Sequence, residues 1–203
     1  ETDAVGEGYA ASLARPGGNV TGVFLDLPEI AGKWLELLRD AVPGLTRVGV
    51  VWAPTLPPAQ RRAVADAART LKLTAYVVEV RGPADFEAAF RRARQAKAGA
   101  VLILSSPAFG AHTELTLQHR LPSISLFRLF VESGGLMTYG PSGRELYQQE
   151  GRLLARILKG STPADLPIER PAKIELIVNR RTARALGLTL TPAIMTRADH
   201  VMD

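Results

Sequence analysis

The stretch VGVVWAPTLPPAQRRAVADAARTLKLTAYVVEV, residues 48–80, decides the fold class of this chain. Val48–Trp52 and Ala75–Val80 are short apolar runs of strand length, and the intervening segment Pro58–Leu71 has a helical pattern. Two strands joined by one helix form a right-handed crossover, which makes neighbouring strands parallel. The stretch therefore predicts one β-α-β unit of a parallel sheet.

The same alternation continues on both sides of this unit. Towards the C-terminus, the pattern predicts a helix at 84–96, a strand at 100–104, a helix at 109–119 and a strand at 123–127. Before it, a helix opens at Pro28 and places its apolar residues on one stripe: Ile30, Trp34, Leu37, Leu38 and Ala41. We therefore predict an α/β fold with an open, doubly wound parallel sheet. Such sheets bind ligands beyond the carboxyl ends of their strands.

The two ends of the chain have less regular patterns. Residues 5–14 are predicted to form a helix that stops at Pro16, and 20–25 a strand. After Gly134-Gly135 the pattern predicts a short segment at 136–139, a helix at 142–158, a linker at 160–171, a strand at 174–178, a helix at 180–186 and a tail.

Composition excludes several classes of protein. The 203 residues include no cysteine, so disulfides, thiol nucleophiles and cysteine-bound metals are absent. Apolar runs are much shorter than the roughly 20 residues of a membrane-spanning helix, and residues 1–5 do not resemble a signal peptide. The net charge is +5, but the 25 basic residues are interspersed with 20 acidic ones. We therefore expect no nucleic acid as a partner.

Three motifs suggest chemistry that we do not expect. Gly6-Glu7-Gly8, with Asp26 after it, matches a dinucleotide fingerprint, but only five residues precede Gly6, too few for the required strand. His112 and His119 are too far apart in sequence to bind one metal ion from one helix face. Ser105 and Ser106 have no histidine in the neighbouring strand-end loops to activate them. We expect no cofactor, no metal and no catalytic residue.

The loops that follow the predicted strands combine aromatic rings, hydroxyl groups and one cation, which is a mixture typical of small-molecule pockets. The candidate residues are Trp52, Thr55, Ser105, Ser106, Phe109, Phe127 and Arg128. Two alternatives remain open. The aromatic residues could simply close the edge of the sheet, and Arg128 could bind a ligand carboxylate or form an ion pair with Glu132.

Several runs resemble one protein family in combination: SLARPGGNVTG at 12–22, KWLELL at 33–38 and FRLFVESGGLMTYG at 127–140. They are similar to the substrate-binding proteins of ABC importers, in the group related to tryptophan and tyrosine uptake. The resemblance extends along essentially the whole chain. It implies a type I periplasmic-binding fold, in which two α/β lobes close over a ligand.

The resemblance also implies a division of the chain. Residues 1–18 are expected to be a remnant of a first lobe that is otherwise missing, and 19–139 the second lobe. Residues 140–172 would be a crossing segment with a first-lobe helix, and 173–203 would return to the second lobe. The helices at 5–14 and 142–158 would expose apolar faces, through which we expect a homodimer to form.

The function implied is that of a solute receptor, without catalysis, for a small organic solute such as an amino acid or an aromatic compound. Its partner would be the membrane permease of an ABC importer, and its location periplasmic or at the cell surface. The resemblance and the crossing add three candidate ligand-binding residues: Asp3, Tyr139 and Ser142. The alternatives are a ligand-sensing domain of a transcription regulator and, less favoured, a dinucleotide-binding enzyme.

Overall fold

The computed structural model describes residues 4–25, 27–55, 58–104 and 113–203. The chain divides into two compact units. The first consists of Glu1–Asp26 with Pro141–Ile174, and the second of Leu27–Gly140 with Glu175–Asp203. Within the described ranges, we find no helix with the length and apolar character needed to cross a membrane.

The second unit is built on a mostly parallel sheet, and the predicted fold class is confirmed. The described residues form seven strands in the spatial order β2-β1-β3-β4-β5-β6-β7. Five neighbouring pairs, β1/β2, β1/β3, β3/β4, β4/β5 and β6/β7, run parallel. The strands are β1 Arg47–Trp52, β2 Thr74–Glu79, β3 Ala100–Ile103, β4 Ser123–Ser125, β5 Met137–Pro141, β6 Ile174–Asn179 and β7 His200–Met202.

The helices of the described ranges follow the strands in the predicted alternation. They are α1 Ala31–Ala41, α2 Pro58–Thr70, α3 Phe86–Gln95, α4 Glu114–Gln118, α5 Arg128–Glu132, α6 Gly143–Leu158, α7 Arg180–Ala185 and α8 Pro192–Arg197. Short 3-10 turns at Pro28–Ile30, Pro83–Asp85 and Pro163–Asp165 each begin with a proline, whose fixed φ suits the first turn of a helix.

The apolar stripe of α1 forms part of the core of this unit, as predicted. Trp34 is 1% exposed, and Leu37 and Leu38 are completely buried. Consecutive β1 residues Val50 and Val51 are buried too, so both faces of the strand are covered. Helix α3 approaches one of these faces so closely that a Cβ on Gly49 would lie 2.9 Å from that of Ala93.

The tail after Gly187 is not irregular, contrary to the sequence prediction. It forms α8 and then β7, which pairs with β6. Thr191 caps α8 through a hydrogen bond from the Ile194 N–H to its Oγ1, and the Ile194 side chain is completely buried. Arg197 forms a 3.0 Å ion pair with Asp40 of α1. These two short elements bury too few residues to produce a hydrophobic periodicity that can be recognised in the sequence.

A second difference lies after β4. Phe127 and Arg128 are predicted to lie in a loop after the strand, whereas the structure forms the helix α5 at Arg128–Glu132, with Phe127 at the N-cap position. Phe130 and Val131 are buried on its inner side. A five-residue helix contains one buried pair and no repeat, which is why the periodicity did not reveal it.

In the first unit, the predicted helix at 5–14 is wrong. Residues 4–8 form a turn in which the Gly8 N–H donates to the Val5 carbonyl oxygen, and Gly8 has a φ of 78°. Glycine adopts this left-handed conformation without strain, and two glycines in three residues weaken a helix. The apolar spacing alone was therefore misleading.

Residues 20–25 belong to the first unit in the structure and form a single bridge instead of the predicted strand. Val23 pairs with Glu169, since the Phe24 N–H donates to the Glu169 oxygen at 2.8 Å and the Glu169 N–H donates to the Gly22 oxygen at 2.9 Å. The Thr21 hydroxyl adds a 3.1 Å bond to the Leu166 oxygen. These hydrogen bonds explain why residues 19–26 belong to the same compact unit as residues 141–174. Whether the two units correspond to the two expected lobes stays a prediction.

Helix α6 of the first unit has two different faces. Leu153 and Gln149 are buried, and the Gln149 side chain bonds to Glu169, to the Arg170 oxygen and to the Ala172 N–H. The other face exposes apolar side chains, with Tyr147 at 74%, Leu154 at 56% and Leu158 at 79% exposure. A homodimer that uses this face stays a prediction.

Candidate functional site

The strand register of the second unit brings most of the described candidate residues to one edge of the sheet. Val50 pairs with Leu102, Leu102 with Ile124, and Ile124 with Met137. The carboxyl edge of the sheet lies two residues beyond these paired positions. Trp52 of β1 and Tyr139 of β5 lie at this edge. With strands about 4.8 Å apart, these two Cα atoms are about 14 Å from each other along the edge.

Trp52 is half-buried at the end of β1, under the first turn of α2. The guanidinium carbon of Arg61 lies 4.6 Å from the centroid of its ring, in cation–π geometry. The indole nitrogen of Trp52 is buried, and no described residue accepts its hydrogen bond. Arg61 therefore covers one face of the Trp52 ring. A ligand would have to stack on the opposite face.

Arg61 is a residue of this site that the sequence analysis missed. It follows Trp52 by nine positions and lies three residues into α2. The crossover helix after a strand begins at the carboxyl edge, so a cation in its first turn returns to the strand end. The position of Arg61 in the first turn of this helix could therefore have been recognised from the sequence as a candidate site position.

Phe127 and Arg128 lie at the carboxyl end of β4. The Arg128 Nε donates a 2.7 Å hydrogen bond to Glu132, one turn along α5, and both side chains are nearly half exposed. Of the two alternatives for Arg128, the structure shows the ion pair with Glu132. Thr55 is exposed in the turn after β1.

Tyr139 contributes its backbone to the packing of the second unit. Its carbonyl oxygen accepts a 2.7 Å hydrogen bond from the indole nitrogen of Trp34, while its side chain is partly exposed. The next residue, Gly140, packs directly against the Leu126 carbonyl group, where a Cβ would lie 2.0 Å from the oxygen. Only glycine fits at this end of β5.

The remaining candidates are not part of this edge as described. Ser142 belongs to the first unit, where it is 5% exposed at the N-cap of α6 and its N–H donates to the Lys173 oxygen. Asp3, Ser105, Ser106 and Phe109 lie outside the described residues, and so do Asp26 and His112. Their roles stay predictions.

The motifs that suggested other chemistry do not form sites in the described ranges. Gly6 and Gly8 lie in a turn, so the strand-to-helix geometry that a dinucleotide fingerprint requires is missing there. His119 Nε2 lies 3.0 Å from Glu87 Oε1, and no cluster of three metal-binding side chains occurs among the described residues.

Two surface cavities of the second unit lie elsewhere. One of about 320 Å³ is formed by α7, α8 and the segment between them, including Arg180 and Arg184. Another of about 400 Å³ lies past β2 and includes Glu79, Arg81 and Arg92. Neither contains a predicted site residue. The carboxyl edge is the better candidate because it follows from the sheet topology, whereas these cavities are open and bordered by exposed ionic side chains.

The parallel sheet with helices on its faces and polar and aromatic residues at its carboxyl edge defines the type I periplasmic-binding fold. The sequence profile of the ABC transporter substrate binding proteins matches residues 1–202. The chain belongs to this family.

Individual relatives agree with the assignment. The chain is 26% identical over 196 residues to a tyrosine-binding protein of Clostridioides difficile. The alignment covers 92% of this chain and 55% of the relative. The chain thus spans about half the length of that curated relative.

Two solved structures share the fold. An ABC domain from Streptococcus pneumonia in complex with L-Trp has a TM-score of 0.86 at 22% identity, with 99% of this chain and 69% of that chain covered. The ligand-free, open form of a substrate-binding protein with adhesive properties from Clostridium difficile has a TM-score of 0.70 at 20% identity, with coverages of 99% and 68%.

Proposed function

We propose that this chain is part of the solute receptor of an ABC importer and takes an amino acid with an aromatic side chain. The observation that carries the proposal is the family match along residues 1–202. It is supported by the names of two relatives, a tyrosine-binding protein and a domain crystallised with L-Trp. Its partner would be the membrane permease of the importer, and the receptor would act in the periplasm or at the cell surface.

The solute would bind at the carboxyl edge of the second unit. Trp52 and Phe127 supply aromatic surface there, and Thr55 supplies a hydroxyl group. Aromatic walls with a few polar groups are typical of small-molecule sites. We retain Ser105, Ser106 and Phe109 as candidates of the adjacent loop, and Asp3, Tyr139 and Ser142 as further candidates.

Receptor function without catalysis fits this edge. The described polar groups near the aromatic rings include the hydroxyl of Thr55 and the guanidinium groups of Arg61 and Arg128, and Arg128 is paired with Glu132. A nucleophile would need a base within hydrogen-bond distance, and His119 is instead engaged with Glu87. Binding is the chemistry that these groups support.

The test is a calorimetric titration of the complete gene product with L-tyrosine, L-tryptophan and, as a control of similar size without a ring, L-lysine. We expect saturable binding of an aromatic amino acid at micromolar concentration or below and none of lysine. Trp52→Ala should weaken binding at least tenfold, whereas Tyr147→Ala, which removes an aromatic ring exposed on α6, should leave it unchanged. Absence of binding by every aromatic amino acid would contradict the proposal.

A further inference from the structure

The two tryptophans of this chain differ in the state of their indole N–H groups. Trp34 donates to the Tyr139 carbonyl oxygen at 2.7 Å. The indole nitrogen of Trp52 is equally shielded from solvent, but none of the described residues accepts from it. A buried donor without an acceptor carries a free-energy cost, and such groups are rare in folded proteins.

From this difference, and on the basis of the proposed function, we propose that the Trp52 indole N–H donates a hydrogen bond to the carboxylate of the bound amino acid. Trp52 would then be a determinant of specificity, selecting solutes with a negatively charged oxygen at this position. The Trp52 side chain would then have two roles in the site. Its N–H would donate a hydrogen bond, and its ring would form an apolar wall.

Position supports this assignment. Trp52 is the last residue of β1, at the carboxyl edge where ligands of doubly wound sheets bind. The register pairs it with Glu79, the last residue of β2, which carries a carboxylate. Glu79 Oε1 instead accepts from the Arg81 Nε at 3.0 Å. An oxygen of a bound solute would supply the acceptor that none of the described residues provides.

Charge favours an anionic acceptor. The guanidinium carbon of Arg61 lies 4.6 Å from the centroid of the Trp52 ring and places a positive charge over the indole. A cation on the face of an indole strengthens the attraction of its polarised N–H for a negative oxygen, and hydrogen bonds to charged groups are about twice as strong as neutral ones. The ion pair between Glu79 and Arg81 offsets the one carboxylate that faces Trp52 across the strands.

The first experiment is a ¹H–¹⁵N correlation spectrum of the complete gene product, recorded while L-tyrosine or L-tryptophan is added. The indole signals of Trp34 and Trp52 are assigned with Trp34→Phe and Trp52→Phe. We expect the Trp52 indole proton to move downfield on saturation, as a new hydrogen bond forms, while the Trp34 indole proton stays in place because its bond already exists. A Trp52 signal that does not move in the saturated protein would overturn the inference.

The second experiment separates the N–H from the ring. Trp52→Phe keeps an aromatic side chain and removes the donor, so the affinity for L-tyrosine should fall roughly tenfold or more. Tyramine, which lacks both oxygens of the carboxylate, should bind wild type and variant with affinities within about twofold of each other. Equal loss for both ligands would assign the effect to ring packing and would refute the carboxylate contact.

The unliganded stability of Trp52→Phe provides a further check. The variant removes a buried donor without an acceptor, but also part of the ring that Arg61 contacts, so its melting temperature should fall clearly less than that of Trp34→Phe. An equal decrease would mean that the N–H has a partner within the free protein, and the inference would fail. If wild type binds no aromatic amino acid at all, the proposed function itself fails, whereas normal binding by Trp52→Phe refutes only the role of the N–H.

Discussion

The indole nitrogen of Trp34 donates a 2.7 Å hydrogen bond to the backbone oxygen of Tyr139, 105 residues later in the sequence. The bond ties helix α1 to the end of strand β5, and Trp34 is 1% exposed. It satisfies two polar groups where water is excluded and holds the carboxyl end of β5 in place. One buried side chain therefore connects the core of the second unit to the candidate binding edge.

Trp34→Phe should destabilise the protein by about 2 kcal/mol, since it leaves the Tyr139 oxygen without its donor and removes part of a packed ring. Urea unfolding followed by circular dichroism measures the change. The matched control is Trp52→Phe, the same substitution at the other tryptophan, where a clearly smaller loss of stability is expected because no described residue accepts from its N–H. Equal destabilisation by the two variants would contradict this account.

Gly140→Ala should be among the most damaging single substitutions in the second unit. The added Cβ would lie 2.0 Å from the Leu126 oxygen and 2.8 Å from its Cδ1, so β4 and β5 would have to separate. We expect a loss of about 3 kcal/mol in the free energy of unfolding, or failure to fold.

Gly151→Ala is the control for Gly140. Gly151 is exposed within α6, and an added Cβ there would contact nothing within 4 Å. Alanine is a better helix former, so this variant should gain about 0.5–1 kcal/mol. If thermal denaturation ranks the two variants in the opposite order, the close approach of Gly140 to Leu126 is not present in solution.

Gln149→Ala should loosen the first unit. Its amide bonds to the Glu169 carboxylate at 2.7 Å, to the Arg170 oxygen at 2.8 Å and to the Ala172 N–H at 3.2 Å. Loss of these bonds leaves buried polar groups without partners, at a cost of about 2 kcal/mol. Hydrogen exchange of residues 141–174 should accelerate. The exposed neighbour provides the control, because Gln148→Ala should change stability by less than about 0.5 kcal/mol.

The ion pair of Asp203 with Arg180 should make stability depend on pH. The hydrogen bond from Arg180 lowers the pKa of the Asp203 carboxyl group below its ordinary value. A carboxylate with a lowered pKa in the folded state contributes stability above its ordinary pKa of about 3.9, and this contribution is lost as the pH falls through the folded-state pKa.

We therefore expect Asp203→Asn to lower the melting temperature slightly at pH 7, and the difference from wild type to vanish in strong acid or high salt. The comparison is made with Glu150→Gln, which neutralises an exposed carboxylate on α6. A difference between wild type and Asp203→Asn that persists unchanged in strong acid would rule out the ionic contribution.

The sequence predicted the parallel sheet because this part of the chain has strong patterns, and the same patterns indicate which edge of the sheet is the candidate binding edge. Val50 and Val51 lie in a continuous apolar strand, and Trp34 lies on a stripe that repeats at helical spacing. Both signals come from burial over many residues. The alternation of such strands and helices then determined which loops lie at the carboxyl edge.

The sequence predictions that proved wrong concern segments in which local sequence preferences and long-range contacts compete. Residues 5–14 have helical spacing, yet Gly6 and Gly8 favour a turn, and the N–H of Ala11 donates to the Pro16 oxygen. The bridge of Val23 with Glu169 joins residues 146 positions apart, a pairing that no local pattern reveals. Arg61 was missed for a different reason, because the candidates were taken from the loops after the strands and not from the first turn of the helix that follows.

The order of the chain within the second unit affects how its sheet is completed. Strands β6 and β7 lie at Ile174–Asn179 and His200–Met202 and complete a sheet whose other five strands lie before residue 142. The edge of β5 therefore gains its neighbour only after the chain has passed through the segment 142–173 of the first unit and returned. An uncovered strand edge is prone to pair with other chains. Partly folded molecules in which β6 has not yet returned should accordingly be prone to aggregate.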